Sequence, residues 1–139
     1  MKIVSIIIPT YNRDKKLIKR ALVSVLKQTY QNFEIILVDD NINSDISNDV
    51  KKLVDELNDK RIKYIKNKQN IGGAKSRNKA IKIAKGDYIT FLDDDDFYLK
   101  DKLKKQVDYL ENNEFNFVIS NLVIVLSLIH ISEPTRQEA

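Results

Sequence analysis

VSIIIPTYNRDKKLIKRALVSVLKQTYQNFEIILVDD, residues 4–40, contains a strand, a helix and a second strand. Val4-Ser5-Ile6-Ile7-Ile8 is a nearly continuous apolar, β-branched run stopped by Pro9, the pattern of a strand covered on both faces. Between Arg13 and Gln28, Leu17, Ile18, Ala21, Leu22, Val25 and Leu26 recur at the spacing that stacks side chains on one helix face. Asn12 is the expected N-cap of that helix. Glu34 to Val38 is the second strand. Strands joined through a helix cannot pair as a hairpin, so these two run parallel, with the helix crossing one face.

The same alternation continues outward from this unit. A second helix starts at Ser47 or a neighbour and buries Val50, Leu53, Val54 and Leu57; Arg61 to Lys66 alternates as a third strand. A third helix spans about Gly73 to Ala84 with Gly86 as its stop signal, and Tyr88 to Leu92 is a fourth strand. A fourth helix covers about Lys100 to Asn112 through Leu103, Val107 and Leu110, and Phe115 to Ser120 makes a fifth strand. The fold class is therefore α/β, a mostly parallel sheet with helices on both faces.

A length of 139 residues accommodates one domain with one sizeable core. Hydrophobic residues at 42% and charged residues at 32% exclude a disordered chain. The absence of Cys rules out disulfides, thiolate metal sites and cysteine nucleophiles, and the single His, His130, rules out any mechanism needing two. Lys+Arg 24 against Asp+Glu 20 gives a net charge of +4, which permits an anionic partner without requiring one. Pro9 interrupts the apolar start, so no secretory signal is expected. Phe117 to Ile131 is too short to span a membrane and is broken by Asn121 and His130. The expectation is a cytoplasmic domain without a transmembrane anchor, at most peripheral at the inner face of a membrane.

In an open parallel sheet, ligands bind beyond the carboxyl ends of the strands. Pro9-Thr10-Tyr11-Asn12-Arg13 follows the first strand, Asp39-Asp40 the second, and Asp93-Asp94-Asp95-Asp96 the fourth. Two groups of carboxylates on one sheet edge repel unless a cation offsets them, and a hard divalent metal with oxygen ligands suits them. The acid run also reads as a cap on the next helix, and Asp39-Asp40 as turn residues. Asn70-Ile71-Gly72-Gly73 opens the third helix either as a phosphate-binding turn or as an ordinary tight one. That helix carries Lys75, Arg77, Lys79 and Lys82 with no acid, and Arg77 is the cation expected to face an anion.

The segments VSIIIPTYNR, FEIILVDDNINSD, NIGGAKSRNKAIKIAKGDYITFLDDDD and FYLKDKLKKQVDYL together resemble the N-terminal half of glycosyltransferase family 2, inverting enzymes with the GT-A fold. The resemblance covers about residues 2–121, so that residues 1–122 are expected to be the nucleotide-sugar-binding part of such a domain. It implies that Pro9, Thr10, Tyr11 and Arg13 wrap the nucleotide, that Asp39 hydrogen-bonds a uracil, and that Asp40 completes the usual acidic pair. Arg77 and Asn78 match the family's Arg-Asn pair near the nucleotide-sugar. Asp93 and Asp95 match its D-x-D, with Asp93 at the ribose or sugar and Asp95 holding Mg or Mn at the diphosphate. Asp94 is counted with the nucleotide-sugar residues, and Asp96 is the acid that commonly follows.

The implied reaction moves a sugar from a nucleoside diphosphate sugar, a UDP-sugar by preference, to a saccharide or lipid-linked acceptor in bacterial surface polysaccharide synthesis. Inversion needs a general base, which the family places beyond the matched segments, so no catalytic base is assigned here. Residues 123–139, ending LSLIHISEPTRQEA, do not resemble the family and read as a non-native tail. The alternative is a catalytically incomplete fragment that binds nucleotide-sugar without transfer. A nucleotidyltransferase or an aspartate-nucleophile phosphohydrolase fits less well, since the latter puts its D-x-D after the first strand. No nucleic-acid-binding motif is present, and the acidic edge would repel phosphate backbones.

Overall fold

The computed structural model describes residues 1–114, Val118, and the backbone of residues 125–127 and 130–131. Strands β1 (Val4–Thr10), β2 (Phe33–Asp39), β3 (Ile62–Lys66) and β4 (Tyr88–Phe91) form one parallel sheet in the order β3-β2-β1-β4. Helices α1 (Lys15–Leu26), α2 (Ser44–Leu57), α3 (Gly73–Ile83) and α4 (Lys102–Glu111) alternate with them. Later in the chain β5 (Val125–Ser127) pairs antiparallel with β6 (His130–Ile131). The expected fifth strand at Phe115 to Ser120 lies outside the described residues but for Val118.

Because side chains alternate along a strand, β1 and β2 feed two cores. Val4, Ile6, Ile8, Phe33, Ile35 and Leu37 meet α1, α2 and α4 through Ile18, Leu22, Val25, Val50, Leu53, Leu103 and Val107. On the other face Ile7, Ile36 and Val38 meet Ala80 of α3. Full burial of each such isoleucine or valine contributes about 1.5–3 kcal/mol, which is why the two central strands tolerate so little polarity. The chain steps from β1 to β2 to β3 and then returns past β1 to β4. Right-handed crossovers require that return to pass over the opposite face, where α3 lies.

Several boundaries differ from the sequence reading, each for a local reason. Pro9 does not stop β1, which runs on to Thr10 in register with Asp39. The Ile7 carbonyl accepts from Leu92 N at 3.0 Å, so odd-numbered residues of β1 turn their backbone groups toward β4. Pairing with β4 ends at Ile7, and the donor that Pro9 lacks would have no strand partner on that side. Asn12 is not the N-cap of α1: it sits at φ +48° and donates its N–H to Asn41 Oδ1 at 2.6 Å. Asp14 caps instead, accepting from Lys16 N at 2.8 Å. Likewise α2 begins before Ser47, because Asn43 Oδ1 accepts from the N–H groups of Asp45 and Ile46.

Gly86 does not terminate α3, which ends at Ile83 with Ala84 as its C-cap. The position needs glycine for another reason. A Cβ there would lie 2.5 Å from Ser5 Oγ and 2.7 Å from Ser5 N. Ser5 Oγ accepts from Gly86 N at 2.8 Å and donates to Glu34 at 2.8 Å, and Glu34 also accepts from Lys85 N at 2.7 Å and Lys63 Nζ at 2.8 Å. This buried knot fastens the start of β4 to β1 and β2 at the end of the sheet away from the acid run.

Candidate functional site: carboxylates at the ends of β2 and β4

The chain reverses its direction across the sheet at β1, which makes the crevice between the ends of β1 and β4 the topological switch point. Thr10 and the acid run both lie there. Thr10 Oγ1 donates to Asp94 Oδ2 at 2.9 Å, and Arg13 Nε donates to Asp94 Oδ1 at 3.0 Å. Asp94 is buried and fully engaged in joining the loop after β1 to the loop after β4. The Arg13 guanidinium is held above its ordinary pKa chiefly by the charge of Asp94, with further help from Asp95 and Asp93.

Asp93, Asp95 and Asp96 present a different surface. Asp96 N donates to Asp93 O at 3.0 Å, closing a turn just past the end of β4. Around that turn the three exposed side chains bring carboxylate oxygens within 4.8 Å of one another. Arg77 Nη2 lies 3.3 Å from Asp93 Oδ1, and Arg13 Nη2 lies 3.7 Å from Asp95 Oδ2. Partial burial, then the charges of Asp95 and Asp93, push the Asp96 carboxyl above its ordinary pKa. Hard oxygen donors, clustered and open to solvent, are the donor set that Mg or Mn takes. The residues present therefore fit a divalent cation.

The β2 pair is organised in the opposite way. Asp39 still belongs to the strand, so Asp39 and Asp40 point to opposite faces of the sheet. Asp39 faces the α2 layer, where it accepts from the Tyr64 hydroxyl, from Asn41 N at 3.0 Å and from Asn41 Nδ2 at 2.7 Å. Asp40 faces α3 and accepts from Asn67 Nδ2, Ile71 N and Gly72 N, each at 2.9 Å. Burial pushes the Asp40 carboxyl up, but those three hydrogen bonds together with Lys66 hold it below the ordinary range.

This arrangement explains the paired glycines. Gly72 sits at φ +87° as the N-cap of α3 and has no side chain with which to cap. Asp40 instead fixes the turn that leads into the helix, occupying the N–H groups of Ile71 and Gly72, while the first-turn N–H groups of α3 receive no side-chain cap. At Gly73 a Cβ would lie 3.1 Å from Arg77 Nη1, so that glycine makes room for the guanidinium folded over it. Of the remaining expected residues, Tyr11 and Asn78 are exposed, and Pro9 is half-buried opposite Val38.

Sequence reasoning missed Asn67, although it directly follows β3 and the same strand-end rule points to it. Its side chain donates to Asp40 and to Ser76 Oγ at 3.0 Å and accepts from Lys79 Nζ at 2.8 Å. Also missed was a polar stripe on α1 and just beyond it. Arg20 Nη2 donates to Asp95 O at 2.7 Å, Ser24 Oγ accepts from Tyr98 N at 3.0 Å, and Gln28 bridges Leu99 O at 2.7 Å and Leu103 N at 3.0 Å. The four-residue spacing of these three polar residues, beside the apolar stripe, is the signal that would have found it.

The sequence matches the model of the family described as Glycosyl transferase family 2 over residues 5–134. It is 40% identical over 123 residues to the UDP-Glc:alpha-D-GlcNAc-diphosphoundecaprenol beta-1,3-glucosyltransferase WfgD of Escherichia coli, covering 88% of this chain and 47% of that protein. S. aureus TarS 1–349 in complex with UDP-GlcNAc superposes with a TM-score of 0.70 at 33% identity, covering 82% of this chain and 32% of that one. Mannosyltransferase PcManGT from Pyrobaculum calidifontis, in complex with GDP-Man and Mn2+, gives a TM-score of 0.69 at 25% identity, covering 77% and 32%. The chain spans less than half the length of the curated relatives it matches. Among the described residues no helix is long and apolar enough to cross a membrane.

Proposed function

Because the chain belongs to glycosyl transferase family 2, we propose that it carries the donor side of an enzyme moving a sugar from a nucleoside diphosphate sugar to an acceptor hydroxyl, with inversion. The observation that carries this reading is the exposed cluster of Asp93, Asp95 and Asp96 at the switch point, flanked by Arg13 and Arg77. Asp95, with Asp93 and Asp96 beside it, would hold the Mg or Mn ion. When bound, that cation supplies charge stabilisation for the departing diphosphate.

The chain's own residues do the rest of the donor-side work in this reading. Arg77 and Arg13 bind and orient the diphosphate, Tyr11 offers an exposed ring at the rim for the base, and Asn78 lies one residue beyond Arg77. Asp39, held by Tyr64 and Asn41 at the floor of the edge, is the proposed partner of a uracil. The relative named for UDP-Glc and the structure with UDP-GlcNAc support UDP as the nucleotide. The acceptor is a saccharide or a lipid-linked saccharide, which would place the enzyme at the cytoplasmic face of a membrane in surface polysaccharide synthesis. Residues 1–122 carry the donor half, and the general base belongs to acceptor-side structure beyond the donor residues.

Calorimetric titration of UDP in Mn and then in EDTA tests the reading. Cation-dependent binding that weakens in Asp39→Ala with or without Mn is the expected result. Equal binding of UDP with and without Mn would remove the cation from the proposal.

A further inference from the structure

The acid turn contains its own cations. Arg77 reaches Asp93 at 3.3 Å, and Arg13, anchored on Asp94 at 3.0 Å, reaches Asp95 at 3.7 Å. These are the carboxylates a divalent ion would occupy, and the arginines are the groups a diphosphate would use. A diphosphate and the turn's carboxylates therefore compete for the Arg77 guanidinium. We infer that Arg77, with Arg13 in support, is a resident counter-ion of the turn, and that a divalent cation on Asp93 and Asp95 releases it to the diphosphate. Cation and nucleotide then bind cooperatively because the first frees the ligand of the second. The inference rests on the donor-site reading above.

Three features support the exchange. Like charges repel, so a divalent ion on Asp93 disfavours a guanidinium on the same carboxylate. Arg77 and Asp93 are both part-exposed, which keeps their pair weak enough to break. Gly73 leaves open space beside the guanidinium, where any larger residue would press on it at 3.1 Å and restrict its swing. Linkage makes the coupling reciprocal: nucleotide must tighten the cation by the same factor that cation tightens nucleotide.

The test is a double-mutant cycle read by calorimetric titration of UDP into the full chain, in EDTA and in Mn. Wild type, Asp93→Asn, Arg77→Met and the double variant are compared, with a thermal melt on each to establish folding. In EDTA, Asp93→Asn is expected to bind UDP about two- to fivefold more tightly than wild type, the range released by one exposed ion pair. That gain should vanish in the Arg77→Met background. A gain of the same size in both backgrounds would mean simple removal of a negative charge, and would overturn the inference. No gain at all, in a wild type that binds UDP with Mn, would also overturn it while leaving the donor site standing. Failure of wild type to bind UDP with Mn would overturn the donor-site reading and this inference together.

Discussion

The two carboxylate groups at the sheet edge have similar sequences and opposite designs. Asp39 and Asp40 lie at the last residue of β2 and the one after it, so the strand's alternation sends them to different layers, where both are buried. There each is held by three hydrogen bonds from within the fold. Asp93, Asp95 and Asp96 begin two residues after β4 has ended, in a turn that gathers their oxygens instead of separating them. The difference teaches that strand-end aspartates are not interchangeable. What separates them is the supply of internal donors: Asp40 has three and serves the scaffold, Asp39 is fixed in place by Tyr64 and Asn41, and the β4 turn leaves Asp93, Asp95 and Asp96 exposed.

The sharpest way to break this comparison is Asp40→Ala. It leaves one buried donor, Asn67 Nδ2, and two half-buried ones, Ile71 N and Gly72 N, without their acceptor, and each such loss costs about 1–3 kcal/mol where water is kept out. A loss of about 3 kcal/mol or more in urea unfolding is expected, and a change below about 1 kcal/mol would put Asp40 outside the scaffold. The counterpart on β4 is Asp95→Asn. Mn-dependent UDP affinity should fall tenfold or more, about 1.4 kcal/mol, while the melting temperature holds or rises as like-charge repulsion is relieved. Wild-type binding of UDP–Mn by this variant would defeat the cation assignment.

Acid titration separates the groups more finely. Asp40 and Glu34 both titrate below their ordinary values in the fold. For Glu34, burial pushes upward, while Lys63, the Lys85 N–H and Ser5 outweigh it. Their stabilisation is complete above the unfolded values, about 4, and is lost as pH falls through the lower folded values. Stability should thus decline on acidification from about pH 5 to 3, with a shallower decline in Asp40→Asn. Identical slopes in the two proteins would exclude Asp40 from that acid limb. The smallest effect belongs to Tyr64→Phe, which removes one donor from Asp39 and should cost about 1 kcal/mol. An unmoved urea midpoint there would show that Asn41 alone suffices to hold Asp39.

The order of elements was legible because β1, β2 and the apolar stripes of α1 and α2 carry strong periodicity, and the parallel sheet agrees with it. Ends were less legible, since they depend on partners far along the chain. Asn12 looks like a cap until Asn41 takes its N–H, and Gly86 looks like a stop until Ser5 is seen against it. The acid run was correctly placed as a cluster at the sheet edge, because its position needs only the end of one strand. That Asp40 holds the turn entering α3 was not legible, because a contact about thirty residues distant in sequence leaves no local signature. Asn67 directly follows β3, so the same strand-end rule reaches it.

The stripe formed by Arg20, Ser24 and Gln28 has a consequence for time as well as shape. It ties Asp95, Tyr98, Leu99 and Leu103 to one face of α1 and its C-terminal end, so the segment carrying the acids loses its chain entropy when the domain folds. Ligand capture then needs no disorder-to-order step at that turn, and association can proceed by the rotation of side chains alone, on picosecond-to-nanosecond scales. Amide exchange at Tyr98 and Leu103 should accordingly be slow before any ligand arrives and little changed after it.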